Sequence, residues 1–112
     1  MHVALDARTA AVVMSHSLSA DRAWLDALLA TPIAYLGVMG PRARTARLLN
    51  DLPSVIPPSN ALHAPVGLDL GAETPEEVAL AICAEIRAVL AGRRGGFLRE
   101  RSGPIHDRSL IP

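Results

Sequence analysis

Short apolar runs alternate along this chain with stretches whose apolar positions recur every three or four residues. That alternation predicts strands and helices in turn. Ala10, Ala11, Val12, Val13 and Met14 form an uncharged run, the pattern of a strand buried on both faces, and Ser15-His16-Ser17 after it predicts a loop. Ser19 is placed to cap the helix that follows, with Asp21 in its first turn, where the helix dipole favours an anion, and Trp24, Leu25, Leu28 and Leu29 as its apolar stripe. Thr31-Pro32 ends that helix. A second strand is predicted between Ile33 and Met39, broken by Gly40-Pro41. Pro41 suits the first position of a new helix, which runs to about Leu52 with Ala46, Leu48, Leu49 and Leu52 inward.

Pro53, Pro57 and Pro58 make the next stretch extended and irregular. Between Leu62 and Gly71 the pattern predicts a short strand or an extended segment, interrupted by Pro65, Gly67 and Gly71. The last helix has the clearest start, Thr74-Pro75-Glu76-Glu77: a capping hydroxyl, a first-turn proline and a glutamate three residues after the cap. Val78, Ile82, Ile86, Val89 and Leu90 share one face, and Gly92 stops the helix. The order β-α-β-α-(β)-α implies right-handed crossovers, hence a parallel sheet with helices over it. The fold expected is α/β: a partial doubly wound, Rossmann-like three-layer domain with a short parallel sheet over residues 1–92, followed by a basic arm over 93–112.

Composition narrows the field. Of the 112 residues, 50% are hydrophobic and 20% charged, with eleven basic and eleven acidic groups, which excludes a disordered chain and gives no support to nucleic-acid binding. The charge is unevenly placed: residues 69–86 carry five acids and no arginine, and residues 87–112 carry six arginines and two acids. All eleven basic residues are arginine, the better fork for phosphate or carboxylate, although a codon bias gives the same count. A single cysteine, Cys83, permits no internal disulfide. The longest charge-free apolar stretch falls short of the ~20 residues a membrane helix needs, and the first residues lack the pattern of a signal peptide, so a soluble cytoplasmic protein is expected.

In open parallel sheets, ligands bind beyond the carboxyl ends of the strands. Three segments are expected to meet there. His16 and Asp21 follow the first strand, either at a pocket rim or as a local capping and loop-closing pair. Gly37, Gly40, Arg42 and Arg44 follow the second. Glycines that admit a ligand close to the backbone, a helix N-terminus and two guanidinium groups make an anion site, the alternative being a tight turn with solvated arginines. Arg47 is assigned to the solvated face. Gly67 and Asp69 either close over a ligand or form a plain turn. Cys83, in the middle of the last helix, reads as a small core hydrophobe. His2 and His63 lack ligand spacing, so neither a metal site nor a catalytic residue is expected. The basic arm either binds anions or an acidic partner, or is a solvated tail. No Gly-x-Gly-x-x-Gly follows a strand.

Taken in order, Val12-Val13-Met14-Ser15-His16, Asp21, the run from Tyr35 to Arg44, the run from Ala64 to Ala72, Thr74-Pro75-Glu76-Glu77-Val78-Ala79 and Ala84-Glu85-Ile86 resemble the C-terminal Rossmann-type domain of the XdhC/CoxI family. These are accessory factors of xanthine dehydrogenase and related molybdenum hydroxylases. The resemblance covers roughly residues 6–108. It implies a maturation factor without turnover of its own. Such a factor binds the molybdenum cofactor (molybdopterin), supports its sulfuration with a cysteine desulfurase, and hands it to a xanthine dehydrogenase-type molybdoenzyme. His16, Asp21, Gly37, Gly40, Arg42, Arg44, Gly67 and Asp69 are the cofactor-binding candidates it supplies. The family's glycine-rich first half and separate N-terminal domain are missing from the resemblance. A truncated, split or self-associating protein is therefore expected, completed by a complementing N-terminal half or as a homodimer. Two rival readings are a fragment of a dinucleotide-dependent oxidoreductase, with the glycine fingerprint on a partner chain, and a non-catalytic protein-interaction module.

Overall fold

The structure, a computed structural model, describes residues 5–52 and 60–106. Strand β1 (Ala10–Val13) leads into helix α1 (Leu18–Leu29), strand β2 (Tyr35–Val38), helix α2 (Arg42–Asn50), strand β3 (Leu62–His63) and helix α3 (Pro75–Leu90), with a single 3₁₀ turn at Leu98–Glu100. The three strands form one parallel sheet in the order β1-β2-β3, with Val12 opposite Gly37 and Gly37 opposite His63. The α/β, three-layer arrangement expected from the pattern is the one observed. The expected irregular stretch at Pro53, Pro57 and Pro58 and the last residues of the arm lie outside the described residues.

Side chains alternate across the sheet, so each strand serves two layers. Val13, Leu36 and Val38 face α1 and α2, where they pack with Leu25, Ile33 and Leu48 into the main core. Leu25, Val38 and Leu48 are fully buried, each burial stabilising by about 1.5–3 kcal/mol. Tyr35 and Gly37, the alternate residues of β2, belong to the α3 side. That layer is thinner and partly polar, with Ala81 and Ile82 as the buried apolar residues of α3.

Local chemistry explains where the elements begin. Thr74 caps α3 as expected: its hydroxyl accepts from Glu77 N–H while the Glu77 side chain accepts from Thr74 N–H, and Pro75 occupies the first turn. At α1 the cap is Ser17, not Ser19, because Ser17 accepts from Ala20 N–H and the helix starts at Leu18. Pro41 precedes α2 as its N-cap rather than occupying its first turn, and that helix stops at Asn50. Five apolar positions, Met14, Trp24, Ala46, Cys83 and Leu90, lie outside the core assigned to them. Trp24 is 61% exposed because Asp21, on the same helix, takes the inward position. Cys83 is exposed, since α3 turns Ala81 and Ile82 inward and leaves residue 83 on its outer side.

Gly37 is fixed by packing. A Cβ there would lie 2.4 Å from Val66 Cγ2 and 2.9 Å from Tyr35 Cε1. Val66 cannot easily retreat, because its N–H donates to Val38 O at 3.2 Å. The Gly37→Ala variant is expected to lose about 1–3 kcal/mol from overpacking, measured as the shift of the urea midpoint at constant m-value.

Candidate functional site

All three strands end at the same edge of the sheet, and the segments after them form its rim. Beyond β1, residues 14–17 turn over the start of α1, and Asp21 is fully buried beneath them. Its Oδ1 accepts from Ser15 N–H and Ser15 Oγ–H, and its Oδ2 accepts from Arg44 Nη2 at 2.7 Å. The same Arg44 nitrogen reaches Ser15 O at 3.4 Å. Burial pushes the Asp21 carboxyl up, but the hydrogen bonds from Ser15 and Arg44 outweigh it and hold the group below its ordinary value. Gly40 makes this geometry possible: it adopts φ +105°, and a Cβ there would stand 3.1 Å from Arg44 Cδ.

Beyond β2, α2 begins without a side-chain cap. Arg44 N–H donates to Pro41 O at 3.0 Å, which leaves the N–H groups of Arg42 and Ala43 at the positive end of the helix dipole. Arg42 stands on that turn and has no carboxylate partner among the described residues. Beyond β3, residues 65–70 are pinned by three backbone bonds: Val66 N–H to Val38 O, Leu68 N–H to Ala81 O and Leu70 N–H to Leu68 O. Gly67 takes φ +106° to make the bend. Arg42, residues 65–72, Val78 and Ala81 line one cavity of about 530 Å³. That volume falls within the range of small-molecule sites.

Six of the eight expected residues are thus divided between two places, and Gly37 and His16 lie in neither. Arg42, Gly67 and Asp69 line the cavity. Asp21, Gly40 and Arg44 build the ion pair beside it, so one Arg44 nitrogen is already committed to Asp21 and Ser15. Gly37 is buried within β2, under Val66. His16 is exposed on the rim beside the ion pair and does not line the cavity.

A second polar cluster, not anticipated from the sequence, supports the cavity from below. Glu85 Oε1 accepts from Tyr35 Oη–H at 2.7 Å and from Gly67 N–H at 2.9 Å. Its Oε2 lies 3.7 Å from His63 Nδ1. The His63 ring stacks on Tyr35 with centroids 4.7 Å apart, and its buried Nε2 has no hydrogen-bond partner among the described residues. Burial and the carboxylate raise the Tyr35 hydroxyl well above its ordinary value, so it stays a donor. The available signal was angular: at 100° per residue Glu85 falls about 20° from Val78, at the edge of the apolar stripe.

The XdhC Rossmann domain family matches residues 2–86. The protein YqeB of Escherichia coli K12 is 39% identical over 111 residues, covering 96% of this chain and 20% of that protein. A Bacillus subtilis protein described as a probable xanthine dehydrogenase subunit is 42% identical over 77 residues, covering 69% of this chain and 22% of that protein. A crystal structure described as a xanthine dehydrogenase from Bacillus halodurans superposes with a TM-score of 0.69 at 30% identity, over 90% of this chain and 27% of that one. The chain therefore spans about a fifth of the length of the curated relatives it matches. Among the described residues no helix is long and apolar enough to cross a membrane, and no group of three His, Cys, Asp or Glu side chains could hold a metal.

The ion pair yields a stability prediction. Arg44→Met leaves a buried carboxylate without its counter-charge, and a loss of about 3–5 kcal/mol is expected in urea titrations at pH 7. Asp21 titrates lower in the folded than in the unfolded chain, so its contribution is complete above the ordinary carboxylate value. That contribution fades as pH falls through the lowered folded value. Unfolding midpoints measured from pH 7 downward are expected to fall for the parent below about pH 4, and the gap to Arg44→Met is expected to narrow with them.

Proposed function

Because this chain belongs to the XdhC Rossmann-domain family, we propose that it acts as an accessory factor for a xanthine dehydrogenase-type molybdenum hydroxylase. In this reading the cavity between α2 and the 65–72 loop holds the phosphate-bearing end of the molybdenum cofactor. One observation carries the proposal: an uncapped helix N-terminus, an arginine without a carboxylate partner among the described residues and a glycine-bent loop line the same cavity at the carboxyl edge of the sheet. Each of these favours an anion, and together they favour one that is fixed in orientation.

The residues fit that group at its anionic end. Arg42 supplies a planar fork for phosphate oxygens, and the first N–H groups of α2 supply further donors. Glu85 holds Gly67, and through it the loop, at a fixed distance from Arg42. Cys83, the one thiol, is exposed and does not line the cavity, so this chain offers the metal no thiolate there. When bound, the cofactor supplies a pterin whose dithiolene carries the metal; sulfuration is then the work of a cysteine desulfurase. The chain's own task in this reading is to bind, orient and release the cofactor to its client. Asp69 is exposed on the cavity rim, where solvent screens its charge from the anion.

Among the described strands, β1 pairs only with β2. Its free edge borders a groove of about 440 Å³ lined by Val12, Met14, Trp24 and Leu28. Both Met14 and Trp24 are more than half exposed there. An unpaired edge flanked by apolar side chains accepts another strand. A complementing half of the same sheet or a second copy in a homodimer would supply that strand.

Equilibrium binding of molybdenum cofactor tests the proposal. Arg42→Ala is expected to weaken it by about 1.5–3 kcal/mol, the value of a charge-assisted hydrogen bond, with an unchanged urea midpoint. Absence of affinity in the chain, alone and supplemented with a complementing half, overturns the reading. So does equal affinity of the parent and Arg42→Ala, or a thermal shift with dinucleotides that the cofactor does not produce.

A further inference from the structure

Beyond the ligand cavity, the strongest unexplained feature is the charge of the segment after α3. Residues 87–106 contain five arginines and one acid, Glu100, in a chain whose formal charge is zero. None of Arg87, Arg93, Arg94, Arg99 and Arg101 forms an ion pair with a carboxylate among the described residues. The arm does not simply trail into solvent. Arg93 N–H donates to Ala88 O at 2.8 Å, turning the chain back along the last turns of α3. Gly95 then comes so near the ligand loop that a Cβ would lie 3.0 Å from Leu68 Cδ1.

Two guanidinium groups are held in place by the arm's own carbonyls. Arg93 Nη2 donates to Ile105 O at 2.8 Å, and Arg101 Nε donates to Pro104 O at 2.7 Å. Each uses one donor in this way and keeps the rest of its fork. Together with Arg87 of α3 and His106 they line a groove of about 740 Å³ that has no acidic residue in its wall among the described residues. Ile105, 58% exposed, lines the same groove, while Phe97 and Leu98, at 67% and 55% exposure, line with Glu100 an adjoining cavity that shares Arg93 and Arg101. Arginine forks among exposed aromatic and aliphatic side chains are the composition of a protein interface, with Arg and Phe enriched at its centre. A free phosphate would leave the apolar residues unused, and a nucleic acid is disfavoured by the acidic remainder of the chain, where residues 1–86 carry nine acids against five arginines.

We propose that the groove between the last turns of α3 and the 93–106 arm docks an acidic, partly apolar peptide segment of a partner protein. Arg87, Arg93 and Arg101 receive its carboxylates, Ile105 receives an apolar side chain in the groove, and Phe97 and Leu98 receive the next one in the adjoining cavity across Arg93 and Arg101. This inference does not depend on what fills the cavity at Arg42.

Fluorescence anisotropy tests it with a labelled synthetic peptide alternating Glu with Leu. The comparison probes are the same peptide with Gln for Glu, oligothymidine and inorganic phosphate. The Glu peptide is expected to bind the intact chain, to weaken as salt is raised, and to outcompete both phosphate and oligothymidine. Arg93→Gln with Arg101→Gln is expected to loosen it about fivefold. Those two side chains also hold the arm, so Arg87→Gln, on α3 and outside the arm, is the second variant and is expected to loosen the peptide while the circular dichroism spectrum stays unchanged. Arg42→Ala is expected to leave the peptide affinity as it is. Equal binding of the Gln peptide, tighter binding of oligothymidine, or an Arg87→Gln affinity equal to the parent's overturns the proposal. Self-association of the chain that Arg87→Gln abolishes overturns it too, by making a second copy the occupant.

Discussion

The geometry of the ligand edge depends on one buried carboxylate. Asp21 lies under the loop that leaves β1, and a charge in that position costs several kcal/mol unless its lone pairs are filled. Ser15 fills one side and Arg44 the other. Because Ser15 belongs to the β1 loop, Asp21 to α1 and Arg44 to α2, satisfying this single group ties three elements together. The position of the α2 N-terminus follows from it. An arginine two residues earlier, on the same helical turn, is thereby carried to the cavity without an ion pair of its own among the described residues. Neighbouring arginines of similar appearance thus divide between scaffold and cavity wall.

Glu85 has the corresponding part on the other face of the sheet. It replaces what would be an apolar contact by hydrogen bonds to Tyr35 and Gly67, so the thin layer beneath α3 is organised by polar contacts as well as by Ala81 and Ile82. The two carboxylates fix opposite walls of the cavity, one through α2 and the other through the 65–72 loop. The space between them is held by structure on both sides and does not depend on a ligand to shape it.

Much of this was legible in the order of residues. The run from Ala10 to Met14, the Thr74-Pro75-Glu76-Glu77 start and the glycine at the end of the last helix each have one local solution, and the elements form where those signals predict. The site was legible by segment and not by side chain. Strand periodicity puts His16, Arg42 and Gly67 at one edge, but it does not say which guanidinium meets which carboxylate, since that depends on how α1 and α2 pack. Trp24 shows the limit most clearly. Its spacing matches the core stripe, yet Asp21 on the same face is drawn inward by Arg44, and the helix rotates the indole out. Cys83 departs from its expected place for the related reason that Glu85 recentres the buried face of α3.

Gly95 stands close to Leu68, and Leu68 is part of the cavity wall. A loop pressed from behind by the arm has little room to relax toward it. Whatever displaces the arm frees that wall, and whatever swells the cavity pushes back on the arm. The width of the cavity and the seat of the arm thus meet at one side chain, Leu68.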